Sequence, residues 1–115
     1  MTDNPNCAIP ATVDLSRVTV VKLNRQPPSR DYLDAMQQAD DEASRRLGEY
    51  MLLSWYDRDR NFESPQHASE CHQSGAVPGY VDYGLNHGAA LMVDVEDGRF
   101  VFFYFAVELL GGADY

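Results

Sequence analysis

Residues 89–107 read AALMVDVEDGRFVFFYFAV, and this stretch is the clearest structural signal in the chain. Two runs of β-forming residues, 89–95 and 99–107, flank the turn sequence Glu96-Asp97-Gly98. A glycine at the end of such a turn suits a left-handed backbone conformation. The second run is apolar at successive positions, so both faces of that strand need to be covered. The sequence therefore predicts a β-hairpin whose second strand lies in the middle of a sheet.

A strand and a long helix are predicted before the hairpin. Residues 17–24, RVTVVKLN, are rich in β-branched side chains and predict the first strand. A Pro-Pro pair then interrupts strand pairing, and Ser29 is a suitable N-cap for a helix that we expect to reach about Tyr56. A helix of that length would bend at Gly48 or pair with a second copy of the chain. Its apolar stripe comprises Tyr32, Met36, Ala39, Ala43, Leu47 and Tyr50.

Two short helices are predicted between the long helix and the hairpin. Ser64 followed by Pro65 is a helix start signal, and we expect a short helix from Pro65 to about Gln73. A second short helix is expected from Pro78 to His87, although its glycines weaken that pattern. Either these segments or a second subunit would cover the face of the sheet that the long helix leaves open.

These elements predict a single α+β domain over residues 17–110, preceded by a flexible arm at residues 1–16. The expected order is β-α-[short helices]-β-β, with a three-stranded, mainly antiparallel sheet and one long helix packed on one face. The doubly apolar strand and the long stripe bury more surface than one short chain easily covers. Because exposed aromatic side chains are costly, we expect a homodimer.

The charge of the chain excludes some classes of partner. The net charge is −9, with 18 acidic and 9 basic residues. A negative field of this size repels nucleic acid and anionic lipid, so neither is an expected partner. No apolar run approaches the ~20 residues of a membrane helix, and the first residues do not resemble a secretory signal, so we expect a cytoplasmic protein. Two cysteines, Cys7 and Cys71, do not form a disulfide framework, and a bridge between them would need an oxidising compartment.

Residues 55–87 carry most of the side chains that can do chemistry. This stretch holds all three histidines, one of the two cysteines and the only tryptophan. Aromatic residues there can stack on a ligand, while arginines can clamp a carboxylate or phosphate. The alternative is that the arginines pair locally and that the aromatic rings pack in the core. The candidate ligand-binding residues are Trp55, Tyr56, Arg58, Arg60, Tyr80 and Tyr83.

A metal or thiol site is the second interpretation of the same stretch. On a helix, His67 and Cys71 would share one face, with His72 one position round. Imidazole and thiolate at this spacing can hold Zn²⁺, with His87 or Glu63 reaching in from a neighbouring loop. The sequence lacks the second ligand pair that structural zinc sites usually show. The alternatives are capping and surface roles with Cys71 as a small buried side chain, a Cys71–His67 nucleophile pair, or acid–base chemistry by His67 with Glu70.

The blocks LSWYDRDRNFESPQHASECH and PGYVDYGLNHGAALMVDVEDGRFVFFYF, within residues 50–105, resemble a small bacterial family known only as a domain of unknown function. This resemblance implies a compact α+β fold and assigns no activity or site residue. From the residues themselves we expect a non-enzymatic binding or regulatory module without a cofactor. It would bind a protein partner or a small ligand through residues 55–87, and a zinc or redox thiol site is the alternative.

Overall fold

The structure, a computed structural model, describes residues 14–24, 26–65 and 79–107. These residues form an α+β arrangement with two helices and one five-stranded mixed sheet, in the spatial order β1-β4-β5-β2-β3. β1 runs parallel to β4, and the other three pairings are antiparallel. The elements are β1 (Thr19–Leu23), α1 (Tyr32–Leu47), β2 (Tyr50–Asp57), β3 (Phe62–Ser64), α2 (Gly79–Asn86), β4 (Leu91–Val95) and β5 (Phe100–Ala106).

The predicted C-terminal hairpin is confirmed. β4 and β5 pair antiparallel, and β5 lies at the centre of the sheet between β4 and β2. The turn has Gly98 at φ 85°, and its N–H donates to the Asp94 carboxylate at 2.6 Å. Residues 100–104 are buried, as their continuous apolar pattern predicted.

The predicted long helix is wrong in its last third. α1 ends at Leu47, where Gly48 takes φ 77° and donates its N–H to the Ser44 carbonyl. The chain then enters β2, which is rich in aromatic side chains that favour strands. Tyr50 has the spacing of the helical stripe, but it lies on β2. From there it packs against the same core cluster as α1. The helix also begins later than predicted, since its N-cap is Asp31, whose carboxylate accepts two backbone N–H groups.

The three-stranded sheet and the connection after α1 are corrected as well. The chain turns at Asn61, which takes φ 51°, and returns as β3 beside β2. β2 and β3 therefore add two strands to the predicted three. α2 confirms the predicted short helix before the hairpin. The other short helix, beyond Pro65, and residues 1–13 of the predicted arm lie outside the described residues, as does a bridge between Cys7 and Cys71.

The two helices pack on opposite faces of the sheet. On one face, the fully buried Ala35, Ala39 and Ala43 bring α1 close to the strands. On the other face, α2 contacts the sheet at Gly84, where a Cβ atom would lie 2.9 Å from the Cβ of Phe103. Neither helix in the described part of the chain is long and apolar enough to cross a membrane.

β5, one of the two features from which a homodimer was predicted, is covered within a single chain. Its residues 100–104 are at most 2% exposed within a single chain. The homodimer itself stays a prediction, because the structure contains one copy.

Candidate functional site

A cavity of about 390 Å³ lies on the α2 face of the sheet, and we call it the sheet pocket. α2 is eight residues long and packs mainly on β2 and β5, so it covers only part of this face. The remaining part, over β1 and β4, forms the floor of the pocket. The volume falls within the usual range for small-molecule sites. The residues that line the pocket are Leu15, Val20, Lys22, Tyr56, Arg58, Tyr80, Met92, Asp94, Asp97, Gly98 and Val101.

Two stacked tyrosines form the aromatic wall of the sheet pocket. The ring of Tyr56, on β2, lies 5.1 Å from the ring of Tyr80, on α2, with the two planes 12° apart. Tyr80 also meets the edge of Phe103 at 6.1 Å. Ser54 holds this end of α2 on the sheet, because its hydroxyl donates to the Tyr80 carbonyl at 2.6 Å. The wall is therefore built by contacts between secondary structure elements and does not depend on a ligand.

The hydroxyl of Tyr56 is the unusual atom of the pocket. Tyr56 is 2% exposed, and its Oη has no hydrogen-bond partner among the described residues. Burial raises the pKa of Tyr56 to about 12, although the neighbouring Arg58 guanidinium acts in the opposite direction. At neutral pH this group is therefore a phenol that can both donate and accept. Buried polar groups without a partner are rare and costly.

Charged side chains of both signs surround this wall. Lys22 and Asp94 are register partners on β1 and β4, so both point to the same face. Arg58 follows β2, and Asp97 lies in the β4–β5 turn. None of these four forms an ion pair with another described residue.

Five arginines elsewhere form ion pairs. Arg99 bonds to both Asp59 and Glu96 at 2.7 Å, and Arg60 donates to Asp57 at 2.6 Å. Arg30, Arg45 and Arg46 also pair with acidic residues on α1. The sheet pocket therefore differs from these five sites in that its charged side chains form no ion pairs among the described residues.

The structure separates Trp55 and Arg60 from the sheet pocket. Trp55 faces α1, stacked between Tyr32 at 5.6 Å and Phe102 at 5.9 Å. The guanidinium of Arg60 lies 4.0 Å from the centre of the Tyr32 ring. The predicted clamp of Arg58 and Arg60 is thus divided between the two faces. Three of the six candidate ligand-binding residues line the sheet pocket: Tyr56, Arg58 and Tyr80.

Tyr83 lies on α2 and His87 directly follows it, and the two side chains contact each other. Neither residue lines the sheet pocket. Their rings stack at 3.9 Å, and Nδ1 of His87 lies 2.8 Å from the Tyr83 carbonyl oxygen. The other candidate metal ligands, His67, Cys71 and His72, lie outside the described residues, as does Glu70. Within residues 14–24, 26–65 and 79–107, no three His, Cys, Asp or Glu side chains converge as a metal site would require.

The candidate residues predicted from the sequence do not include the strand residues that line the pocket. Lys22 belongs to the first predicted strand, and Asp94, Met92 and Val101 belong to the predicted hairpin. The signal was a charged residue inside each otherwise apolar strand, in VVKL and LMVDV. What the sequence could not show is that β1 pairs with β4 and so places Lys22 beside Asp94.

Comparison with known proteins places the chain in a family and gives one structural neighbour. A family model described as a domain of unknown function, DUF5619, matches residues 18–104. No curated protein matches the sequence. The crystal structure of the novel protein AF1514 from Archeoglobus fulgidus is similar with a TM-score of 0.63 and 23% identity, over 78% of this chain and 95% of that one. At this level of identity, the likeness shows a shared fold alone.

Proposed function

We propose that this chain, which belongs to the DUF5619 family of unknown function, is a non-enzymatic binding module that takes a small ligand in the sheet pocket. The observation that carries the proposal is a cavity of about 390 Å³ with a wall of stacked tyrosines and four charged side chains that form no ion pair with another described residue. A ligand with complementary groups would give these charges partners.

The pocket has the form expected of a binding site. Its floor comes from Val20, Met92 and Val101 on three neighbouring strands, and its wall from the Tyr56–Tyr80 stack. Side chains on paired strands are held in place before a ligand arrives, so binding does not have to order them. Apolar walls with a few polar groups are typical of small-molecule sites.

The protonation state of the two tyrosines supports binding over acid–base catalysis by these groups. Burial raises the pKa of both Tyr56 and Tyr80 above the ordinary tyrosine value. Both hydroxyls therefore keep their protons at neutral pH and act as hydrogen-bonding groups, since a general base needs a pKa closer to the working pH.

A fragment screen with a variant that fills the pocket tests the proposal. Small molecules would be screened against the isotope-labelled full chain by ¹H–¹⁵N NMR. Val20→Trp places an indole at the half-exposed edge of the pocket, whereas Leu33→Trp places one on the exposed surface of α1. We expect ligands that perturb Met92 and Val101 in the native chain and the Leu33→Trp control, and that no longer bind Val20→Trp. Ligands that bind Val20→Trp equally well, or a screen that finds none at the pocket, would overturn the proposal.

The zinc or redox thiol alternative makes a different prediction. It requires one zinc ion per chain, or a reactive thiol, that depends on Cys71. Elemental analysis of the purified protein and of Cys71→Ala measures the first, and the rate of thiol alkylation measures the second. Stoichiometric zinc that is lost in Cys71→Ala would replace the small-ligand proposal with the metal site.

A further inference from the structure

The charges around the sheet pocket are balanced but do not pair with one another. Lys22 and Arg58 supply two cations, and Asp94 and Asp97 supply two carboxylates. Among the described residues, the one hydrogen bond to either carboxylate is donated by the Gly98 N–H to Asp94 at 2.6 Å. Arg58 makes a long contact of 3.5 Å to the Asp97 carbonyl oxygen, not to its carboxylate.

We infer that the ligand of the sheet pocket is a small zwitterion, with a carboxylate, an ammonium group and an apolar side chain, as in an apolar amino acid. This inference rests on the proposed function of the pocket. An anionic ligand would place its negative charge near the carboxylates of Asp94 and Asp97. A cationic ligand would place its positive charge near Lys22 and Arg58. A zwitterion provides a partner for both pairs of charges.

The strand order gives the ligand two separate charged ends. Asp94 lies on β4 and Arg58 follows β2, with β5 between these two strands. The ligand carboxylate would accept from Arg58, and the ligand ammonium would donate to Asp94.

The apolar part of the ligand has its own surface. Val20, Met92 and Val101 lie beside the charged groups and carry no hydrogen-bonding side chains. A side chain the size of leucine or phenylalanine would bury apolar area there while its charged end reaches the rim. A phosphate dianion fits less well, because it would bring a second negative charge toward Asp94 and Asp97 in a chain of net charge −9.

Three probes that share a phenyl ring and differ in the charged groups they carry test the ligand class. L-phenylalanine carries both groups, 3-phenylpropanoate lacks the ammonium group, and phenethylamine lacks the carboxylate. Each is titrated into the isotope-labelled full chain, and the dissociation constant is read from the shifts of the pocket amides. We expect phenylalanine to bind about tenfold tighter than either analogue, as the loss of one charged hydrogen-bonding group implies.

Substitutions at Arg58 and at Asp94 should change the affinities of the three probes in different ways. Arg58→Gln should weaken phenylalanine and phenylpropanoate about tenfold and leave phenethylamine unchanged. Asp94→Asn keeps an oxygen for the Gly98 N–H and should weaken phenylalanine and phenethylamine but not phenylpropanoate. Arg30→Gln, which removes an exposed arginine of the α1 start, is the control and should bind all three probes as the native chain does.

The outcomes distinguish the ligand class from the pocket itself. Tighter binding of phenylpropanoate or inorganic phosphate than of phenylalanine would overturn the zwitterion in favour of an anion. Binding of neutral fragments in the pocket, with no shift from any of the three probes, would overturn the ligand class and leave the proposed function standing. Absence of both would overturn the two together.

Discussion

The two faces of the central sheet are built from the same strands and end in opposite states. The α1 face is closed by a 16-residue helix and by the stack of Tyr32, Trp55 and Phe102. The α2 face is covered by an eight-residue helix, which leaves the sheet pocket open beside it. One face therefore acts as scaffold, and the other provides a cavity that the scaffold holds in shape.

A pair of tyrosines shows the same difference at the level of single atoms. On the α1 face, the hydroxyl of Tyr104 donates to the Asp40 carboxylate at 2.6 Å. On the α2 face, the hydroxyl of Tyr56 has no partner among the described residues. Both rings are at most 2% exposed, so burial alone does not distinguish them. The two buried tyrosine hydroxyls therefore differ in hydrogen bonding, with a partner on the α1 face and none among the described residues on the α2 face.

The largest expected effect is on the α1 face, at Phe102. Its side chain is fully buried and stacks on Trp55, so Phe102→Ala should lower the free energy of unfolding by about 3–5 kcal/mol. Urea denaturation followed by tryptophan fluorescence measures the change. Leu33→Ala, on the exposed surface of α1, is the control and should change stability by less than about 0.5 kcal/mol. A loss below about 1 kcal/mol for Phe102→Ala would contradict the role of this face as scaffold.

The two tyrosines provide the second test, with the same chemical change on each face. Tyr104→Phe should lower the free energy of unfolding by about 1–3 kcal/mol, because it removes the donor to Asp40. Tyr56→Phe removes a buried hydroxyl without a described partner and should be neutral or stabilising by up to about 1 kcal/mol. Urea midpoints of the two variants measure both effects. Equal losses would mean that Tyr56 is bonded within the folded protein, and the distinction between the faces would fail.

The smallest expected effect is on the pH dependence of stability, and it compares Arg99, which forms ion pairs, with Arg58, which forms none among the described residues. Hydrogen bonds from Arg99 hold the pKa of Asp59 below its ordinary value of 3.8. Burial opposes ionisation of Glu96, but bonds from the Ser29 N–H and Arg99 outweigh it and keep its pKa below the ordinary 4.5. These folded-state pKa values are lowered, so the stability they contribute is complete above about pH 5 and is lost as the pH falls through the folded values.

Denaturation between pH 7 and pH 3 tests this dependence. Arg99→Gln should lower stability at pH 7 by at most about 1 kcal/mol, because Asp59 and Arg99 are partly exposed and screened by solvent. It should also flatten the decline below pH 5. Arg58→Gln, which removes an arginine that acts on Asp59 only through its charge, should change the pH profile less than Arg99→Gln does. An unchanged profile in Arg99→Gln would exclude this cluster as a source of acid sensitivity.

Local pattern was sufficient for some elements and misleading for others. The hairpin, the first strand and α2 followed from β-branched runs, turn residues and short helical signals. The long helix was extended by about ten residues because Tyr50 kept the helical spacing of apolar residues. Gly48 was recognised as a position of bending, yet only contact with β5 shows that residues 50–57 form a strand.

The candidate site was predicted only as a region. Tyr56, Arg58 and Tyr80 line the sheet pocket, whereas Trp55 and Arg60 face α1. Neighbouring side chains of β2 point to opposite faces of the sheet, because side chains alternate along a strand. The sequence predicted a helix for this segment, so it did not predict that division.

The order of apolar and polar residues in the chain was enough to specify the C-terminal hairpin, the α+β class and the doubly buried strand, because these depend on side chains close in sequence. The pairing of β1 with β4, the division of the aromatic residues between two faces and the cavity beside α2 were decided by tertiary structure. They depend on contacts between residues distant in the chain, such as Lys22 beside Asp94 and Gly84 against Phe103, and no local pattern encodes such contacts.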